Sequence, residues 1–473
     1  MPGGDSPEFQ TLYEQGQAAR LAGDLDSAAE LLTAAVTLQP TSVPALMEMG
    51  LTHQLRQSWP RARGCFELVL KAQPDNAQVL DALGRTCQAE GNLDQAIAHW
   101  QRAVKLDPHY ASAWQNLALA HEHADQFPEA IACHRQTIAL QPNNSKAHRL
   151  LGAALLDHGL LPDARQAIDR AFELAPNDPE AVWHRFVHRA FTGDFPGAWE
   201  DYECRCRLKN RTTPDPGFTQ PRWTGEPMPG QTLLLHAEQG YGDTLQMIRY
   251  APLVAQRASR VLLWIPAALE PLLADTPGIT QVTTTKPTKT EFDAHLPLMS
   301  LPGTFGHDLQ SIPNTTPYLG DFPKKTPNNP KKIGLVWTGS GTQPIDRRSL
   351  SLTNLAPLFA VENLQWHSLQ PQSTPADQLI DHTAEITDFA ATAKLMVEMD
   401  LVISVDTAAA HLAAALGLPV WVLLNFAPDW RWGREGESSP WYPSARLVRQ
   451  SYGQSWTEVA EDLAVSLREL PAP

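Results

Sequence analysis

LVISVDTAAAHLAAALGLPVWVLLN, residues 401–425, contains a complete structural unit. An apolar run, LVISV, meets Asp406 and Thr407; an alanine-rich stretch follows, closed by Gly417 and Pro419, and a second apolar run, VWVLLN, completes it. Short runs that are apolar at nearly every position suit strands buried on both faces. Alanine favours the helix between them, Gly417 ends it and Pro419 cannot extend it. The reading is strand, helix, parallel strand. Working outward, TLLLHAE (232–238), VLLWIP (261–266) and KIGLVWTG (332–339) have the same character and are separated by helical stretches, a doubly wound α/β pattern. A segment rich in Pro, Thr, Asn and Lys interrupts it, so we expect one Rossmann-like lobe over 231–312, a linker over 313–332 and a second lobe over 333–473. Ahead of the first lobe, residues 211–230 carry Pro214, Pro216, Pro221, Pro227 and Pro229 and read as an ordered connector.

Residues 1–210 follow a different period. Pro40, Pro74, Pro108, Pro142 and Pro176 stand 34 residues apart, closing stretches such as AVKLDP and AFELAP. Ala28, Ala62, Ala96, Ala130, Ala164 and Ala198 recur in phase, as do Gly16, Gly50, Gly84, Ala118 and Gly152, small residues that let two helices touch. A turn slot reads Gly23, Gln57, Gly91, Asp125, Gly159 and Gly193. This resembles the tetratricopeptide repeat, in about five copies and a sixth, Pro179 to Asn210, that lacks the closing proline. The resemblance implies an α-solenoid whose groove takes a peptide or protein partner. Trp100, Trp114, Trp183, His121, His123 and His134 read as packing between repeats.

Composition narrows the function. The chain has 473 residues with 37 basic against 52 acidic ones and a net charge of -15, which opposes a general grip on nucleic acid or anionic lipid. No run reaches the roughly 18 to 20 apolar residues of a membrane span, and Met1 to Gln10 lacks the marks of a signal peptide, so a cytoplasmic protein without a transmembrane segment is expected. Cys65, Cys87, Cys133, Cys204 and Cys206 read as free thiols, and none has zinc-ligand spacing. No metal or cofactor is expected.

Three segments at strand ends can carry chemistry. In HAEQGYGDTLQM, Gly240 and Gly242 allow close approach of a ligand, and Asp243 stands where a helix begins, able either to face the cleft or merely to cap. In the opening segment the helix N-terminus after Asp406 suits a diphosphate; Thr407 adds a hydroxyl, and His411 lies one turn deeper. Arg347 and Arg348, after the loop TGSGTQPI, offer forks for phosphate oxygens. A fourth segment, APDWRWGREGESSPWYP, gathers Trp430, Arg431, Trp432, Trp441 and Tyr442, either as a ligand wall or as packing between lobes. Neither GxGxxG nor GxxxxGK[ST] occurs in these loops, against dinucleotide oxidoreductase and P-loop readings.

GYGDTLQMIRYAPL, DRRSLSL, DHTAEITDFA, VISVDTAAAHLAAALGLPVWVLL and DWRW together resemble bacterial tetratricopeptide proteins whose carboxyl half is a GT-B glycosyltransferase, similar to heptosyltransferases; the layout is also similar to O-linked N-acetylglucosamine transferases. The resemblance implies an inverting, metal-independent hexosyl or heptosyl transfer from a nucleotide diphosphate sugar to a hydroxyl acceptor, protein being one candidate. It implies Asp243 as general base, and Arg347, Arg348, Asp406, Thr407 and His411 at the donor diphosphate. Gly240, Gly242, Glu385, Trp430 and Arg431 would be nucleoside or acceptor contacts. The chain departs from the family pattern in TGSGTQPI, which lacks an Asn common before the Asp-Arg pair, and in its shorter first lobe. The rival reading is a non-enzymatic repeat scaffold with an inactive or nucleotide-sugar-sensing GT-B domain.

Overall fold

A computed structural model describes residues 6–209, 213–320, 329–339, 346–372 and 377–470. Most of the TGSGTQPI loop, 340–345, and the stretch 321–328 of the expected linker lie outside the described residues. Among the described residues, twelve helices form six hairpins, from Pro7–Ala22 with Leu25–Leu38 to Pro179–Thr192 with Phe195–Tyr202. Local chemistry starts them: Ser6 Oγ accepts from the Phe9 N–H, Asn76 Oδ1 from Val79 and Asp178 Oδ1 from Glu180. All six turn-slot residues are left-handed, with φ from 57° at Gln57 and Asp125 to 84° at Gly159.

The glycine slots have a steric cause. Each lies under a large side chain sixteen positions on: a Cβ on Gly16 would fall 2.7 Å from Leu32, one on Gly84 2.5 Å from Trp100 and one on Gly152 2.5 Å from Ile168. In the sixth hairpin the same slot holds Phe186, and its ring meets Tyr202 at 4.5 Å. That exchange of glycine for a ring changes where the hairpin belongs. The chain divides into two compact units, one running to Leu155 with Pro162–Ala175, the other Leu156–Leu161 with Pro176 onward. The sequence period places everything to 210 in one domain; the division falls earlier because Phe186, Phe195, Trp199 and Tyr202 share a core with Leu233, Leu235 and Trp430 of the α/β half.

That half holds two parallel sheets. β1 (Met228–His236), β2 (Ala258–Trp264), β3 (Gln281–Thr283) and β4 (Ala294–Pro297) lie in the order β3-β2-β1-β4. β5 (Lys331–Val336), β6 (Leu364–Ser368), β7 (Ile380–Asp381), β8 (Leu401–Val405), β9 (Val420–Leu424) and β10 (Ala445–Arg449) lie in the order β10-β9-β8-β5-β6-β7. β1 begins inside the stretch read as connector. Its register slips between Met228 and Thr232, where Pro229 and Gly230 fall, so the central strand absorbs a proline at an irregularity. The connector's end also joins the sheet: the Trp223 N–H donates to the His295 carbonyl at 2.9 Å. No helix among the described residues is long and apolar enough to cross a membrane.

A fragment beginning at Thr213 would lose Phe186, Phe195, Trp199 and Tyr202, and with them one wall of the first lobe's core. It should aggregate on expression. Size-exclusion chromatography and thermal unfolding check this, and a monomeric fragment that melts cooperatively would contradict the assignment of the sixth hairpin to the α/β half.

Candidate active site

The carboxyl ends of β1, β5 and β8 open on one cavity of about 1570 Å³. From the first lobe, Asp243 is the third residue of the helix Tyr241–Met247. Its Oδ2 accepts the Gly240 N–H at 2.7 Å, so the capping role is real. Its Oδ1 faces the other way and takes a hydrogen bond from Arg431 Nη2. Burial raises the Asp243 pKa above the ordinary aspartate value, and the nearby Arg431 guanidinium opposes this without cancelling it.

The second lobe supplies the opposite wall. Thr407 precedes the helix Ala408–Ala415 in extended conformation and makes no side-chain cap; its hydroxyl lies 3.2 Å from Ser404 Oγ instead. The first N–H groups of that helix therefore face the cavity uncapped by a side chain, at the positive end of the helix dipole. Arg348 Nη1 donates to the Asp406 carbonyl at 3.3 Å, while its buried Nε makes no hydrogen bond among the described residues and stands 3.8 Å from Asp346. A cation so loosely held beside an open helix N-terminus is suited to a phosphate.

His411 joins the two walls. Its Nδ1 lies 2.8 Å from Tyr442 Oη and its ring stacks on Trp432 at 5.2 Å. A Cβ on Gly242 would fall 2.7 Å from His411 Cδ2, so glycine at 242 is what lets the Asp243 helix approach. Burial pushes the His411 pKa down to about 3, and the ring is neutral. Asp406 is raised to about 6 by burial and by the adjacent Asp429 carboxylate.

Other nominated residues stand elsewhere. Arg347 does not line the cavity; its guanidinium lies 3.7 Å from Asp157 and over the Phe426 ring, beside a tight turn in which Asp346 Oδ1 accepts the N–H groups of Arg348 and Ser349. Glu385 also lies off the wall, paired with His382 at 2.6 Å and 59% exposed, whereas its neighbours Ile386, Thr387 and Asp388 reach the cavity. Gly240, Gly242, Trp430 and Arg431 do line it. Trp430 serves both readings of its segment, since it also meets Phe186 at 5.3 Å and Trp199 at 5.7 Å.

Sequence reasoning misses three features of the wall. Asp429, which begins DWRW, caps Trp430–Trp432 and pairs with Arg431 at 2.9 Å. Glu238 holds the buried Arg205 at 2.5 Å, and His236 Nε2 lies 3.2 Å from His295 Nδ1. The polar residues HAE at the end of an apolar strand are the signal that could have found the last two.

Helical repeats followed by two parallel α/β lobes with a cleft at the strand ends are the architecture of a tetratricopeptide solenoid joined to an α/β region consistent with a GT-B type domain. Comparison with known families agrees: residues 84–123 match the TPR repeat, 124–179 the tetratricopeptide repeat and 379–464 glycosyltransferase family 9 (heptosyltransferase). Protein FlbA of Caulobacter vibrioides is 26% identical over 321 residues, 58% of this chain and 52% of FlbA, so the chain spans about half the length of that relative. Among solved structures, MamA is similar at 23% identity and TM-score 0.34 over 35% of this chain and 91% of its own. Pseudomonas aeruginosa pilF is similar at 17% identity and TM-score 0.39 over 44% of this chain and 94% of its own.

The raised pKa of Asp406 has a signed consequence. Its carboxyl titrates near 3.8 when unfolded and near 6 when folded, so the folded state holds the proton more tightly and loses stability as pH rises from about 4 through 6. Asp406→Asn removes that loss. The variant should gain more in melting temperature over the parent at pH 7.5 than at pH 4.5, and equal gains at both would show that Asp406 is not strained by ionisation.

Proposed function

We propose that this protein is a glycosyltransferase that moves a hexosyl or heptosyl group from a nucleotide diphosphate sugar to a hydroxyl acceptor with inversion. The observation that supports this most directly is the opposition, across one cavity, of a buried carboxylate in the first lobe and an uncapped helix N-terminus with a loosely held arginine in the second. The acceptor oxygen attacks the anomeric carbon, Asp243 takes its proton, and the bond from that carbon to the diphosphate breaks on the far side. The departing nucleoside diphosphate leaves with the bonding electrons. Arg348, Thr407 and the helix dipole receive its charge, so the scheme calls on no metal or cofactor. Asp406 and neutral His411 shape the donor pocket, His411 by holding the helix Ala408–Ala415 against the Asp243 loop.

The match to tetratricopeptide repeats over residues 84–179 supports a binding role for the five hairpins ahead of Pro179, and we assign them the recruitment of a peptide or protein that carries, or accompanies, the acceptor. Among the described residues of those hairpins no group of three or more His, Cys, Asp or Glu side chains is placed to hold a metal ion.

Two measurements test the scheme. Asp243→Asn keeps an oxygen for the Gly240 N–H yet cannot take a proton, so turnover should fall by roughly 10²- to 10⁴-fold with donor affinity nearly unchanged. Near-normal turnover would remove Asp243 from the mechanism. Thr407→Ala with Arg348→Ala takes a charged donor away from the phosphates and should weaken nucleoside diphosphate binding by about 1.5 to 3 kcal/mol, read by calorimetry. Unchanged affinity would move the donor site elsewhere.

A further inference from the structure

We propose that Arg431 is a positioning residue for Asp243: reaching over from the second lobe, it keeps the carboxylate ionised and aimed into the cavity. This rests on the reading of Asp243 as the base. Arg431 is the only cation hydrogen-bonded to Asp243 among the described residues, and it comes from a loop 188 residues further along the chain. Each of its nitrogens has a separate task. Nη2 donates to Asp243 Oδ1, Nη1 to Asp429 Oδ1 at 2.9 Å, and Nε to Gln246 Oε1 at 2.9 Å. The guanidinium plane lies over Trp430, 4.6 Å from the ring centre. Planar, forked and fixed on four sides, it cannot swing away, whereas a lysine ammonium has no geometry that reaches all three oxygens.

The arrangement answers a problem that the site creates for itself. A base must be ionised before the acceptor arrives, yet burial drives the Asp243 carboxyl toward its protonated form. The other groups facing it give little help. Asp429 repels it, the Tyr202 hydroxyl from the last hairpin is held protonated by burial, and His411 behind Gly242 is neutral. The Gly240 N–H binds the other oxygen, which leaves Arg431 as the counter-charge. Because Asp429 shares that guanidinium, its positive charge is divided between two carboxylates, and Asp243 keeps the capacity to accept a proton once the acceptor is bound.

The test uses the full chain and the pH dependence of kcat/KM. Arg431→Gln should move the acid limb upward by at least about one pH unit and recover part of the missing rate at high pH. A merely structural arginine would lower the rate equally at every pH and leave the limb in place; that result, with Asp243→Asn inactive, would overturn the proposal while sparing the base. Activity retained in Asp243→Asn would instead overturn the base reading. Should Arg431→Gln fail to fold, Arg431→Lys decides: with melting temperature and nucleoside diphosphate affinity near the parent's, it should keep the limb but lose at least about tenfold in kcat, since charge remains and aim does not. Parental kcat in Arg431→Lys would overturn the positioning role.

Discussion

A buried arginine joins the two lobes. Arg249 is 4% exposed and donates to the carbonyls of Gln246 in its own lobe, Pro313 in the segment between lobes and Trp441 in the second lobe, and to the Tyr318 hydroxyl. Its guanidinium also lies 4.5 Å from the centre of the Tyr442 ring. Taking an ion out of water costs several kcal/mol unless its donors are satisfied, and no carboxylate pairs with this one among the described residues. The charge is held by carbonyl dipoles and ring faces instead, which are rigid and make the joint specific in geometry. Tyr442 continues the chain to His411, and His411 to Gly242, so one buried cation fixes how far the uncapped helix stands from Asp243.

The cavity itself is destabilising. Asp243 and Asp406 are both raised by burial and Asp429 repels each; the Arg431 guanidinium offsets part of this at both carboxyls, and Arg348 adds to it at Asp406. The packed faces around it carry the stability that this arrangement lacks: leucines of β1 and β2 on one side, alanines of the helix Ala408–Ala415 on the other. Small alanines there serve a second purpose, since a shorter side chain lets the helix lie close to its sheet and presents its N-terminus at the strand ends.

How much of this is legible in the sequence depends on how local the signal is. The five strands read from apolar runs all exist, because burial on both faces demands a composition that few other elements share. β3, β4, β6, β7 and β10 escape that reading: β7 has two residues and β3 three, and β10 reads ARLVR, whose arginines make it look exposed. Arg446 covers Trp421 and Arg449 donates to loop carbonyls, uses that only tertiary neighbours reveal. At the site, Asp243, Arg348 and Thr407 stand out because each follows a strand and opens a helix or loop. Arg347 is drawn in by adjacency to Arg348 and Glu385 by the family resemblance alone, and the side to which a loop residue turns is not written in its spacing. Asp429 pairs within DWRW itself, whereas Glu238 and the pair His236–His295 act through partners 33 and 59 residues away, so HAE marks their place but not what they bind.

The ring that fills the glycine slot of the sixth hairpin bears on how such chains can change. Four of the first five hairpins set a glycine under a large side chain and the other has Ala118 in that slot, while Phe186, Trp199 and Tyr202 commit the sixth to the α/β core, and Trp183 beside them reaches the cavity. The sixth hairpin is thus an adaptor: made of repeat geometry, but owned by the domain it serves. Among the described residues none of the hairpins ahead of it lines the cavity, so the number of 34-residue units there is set independently of the cavity wall.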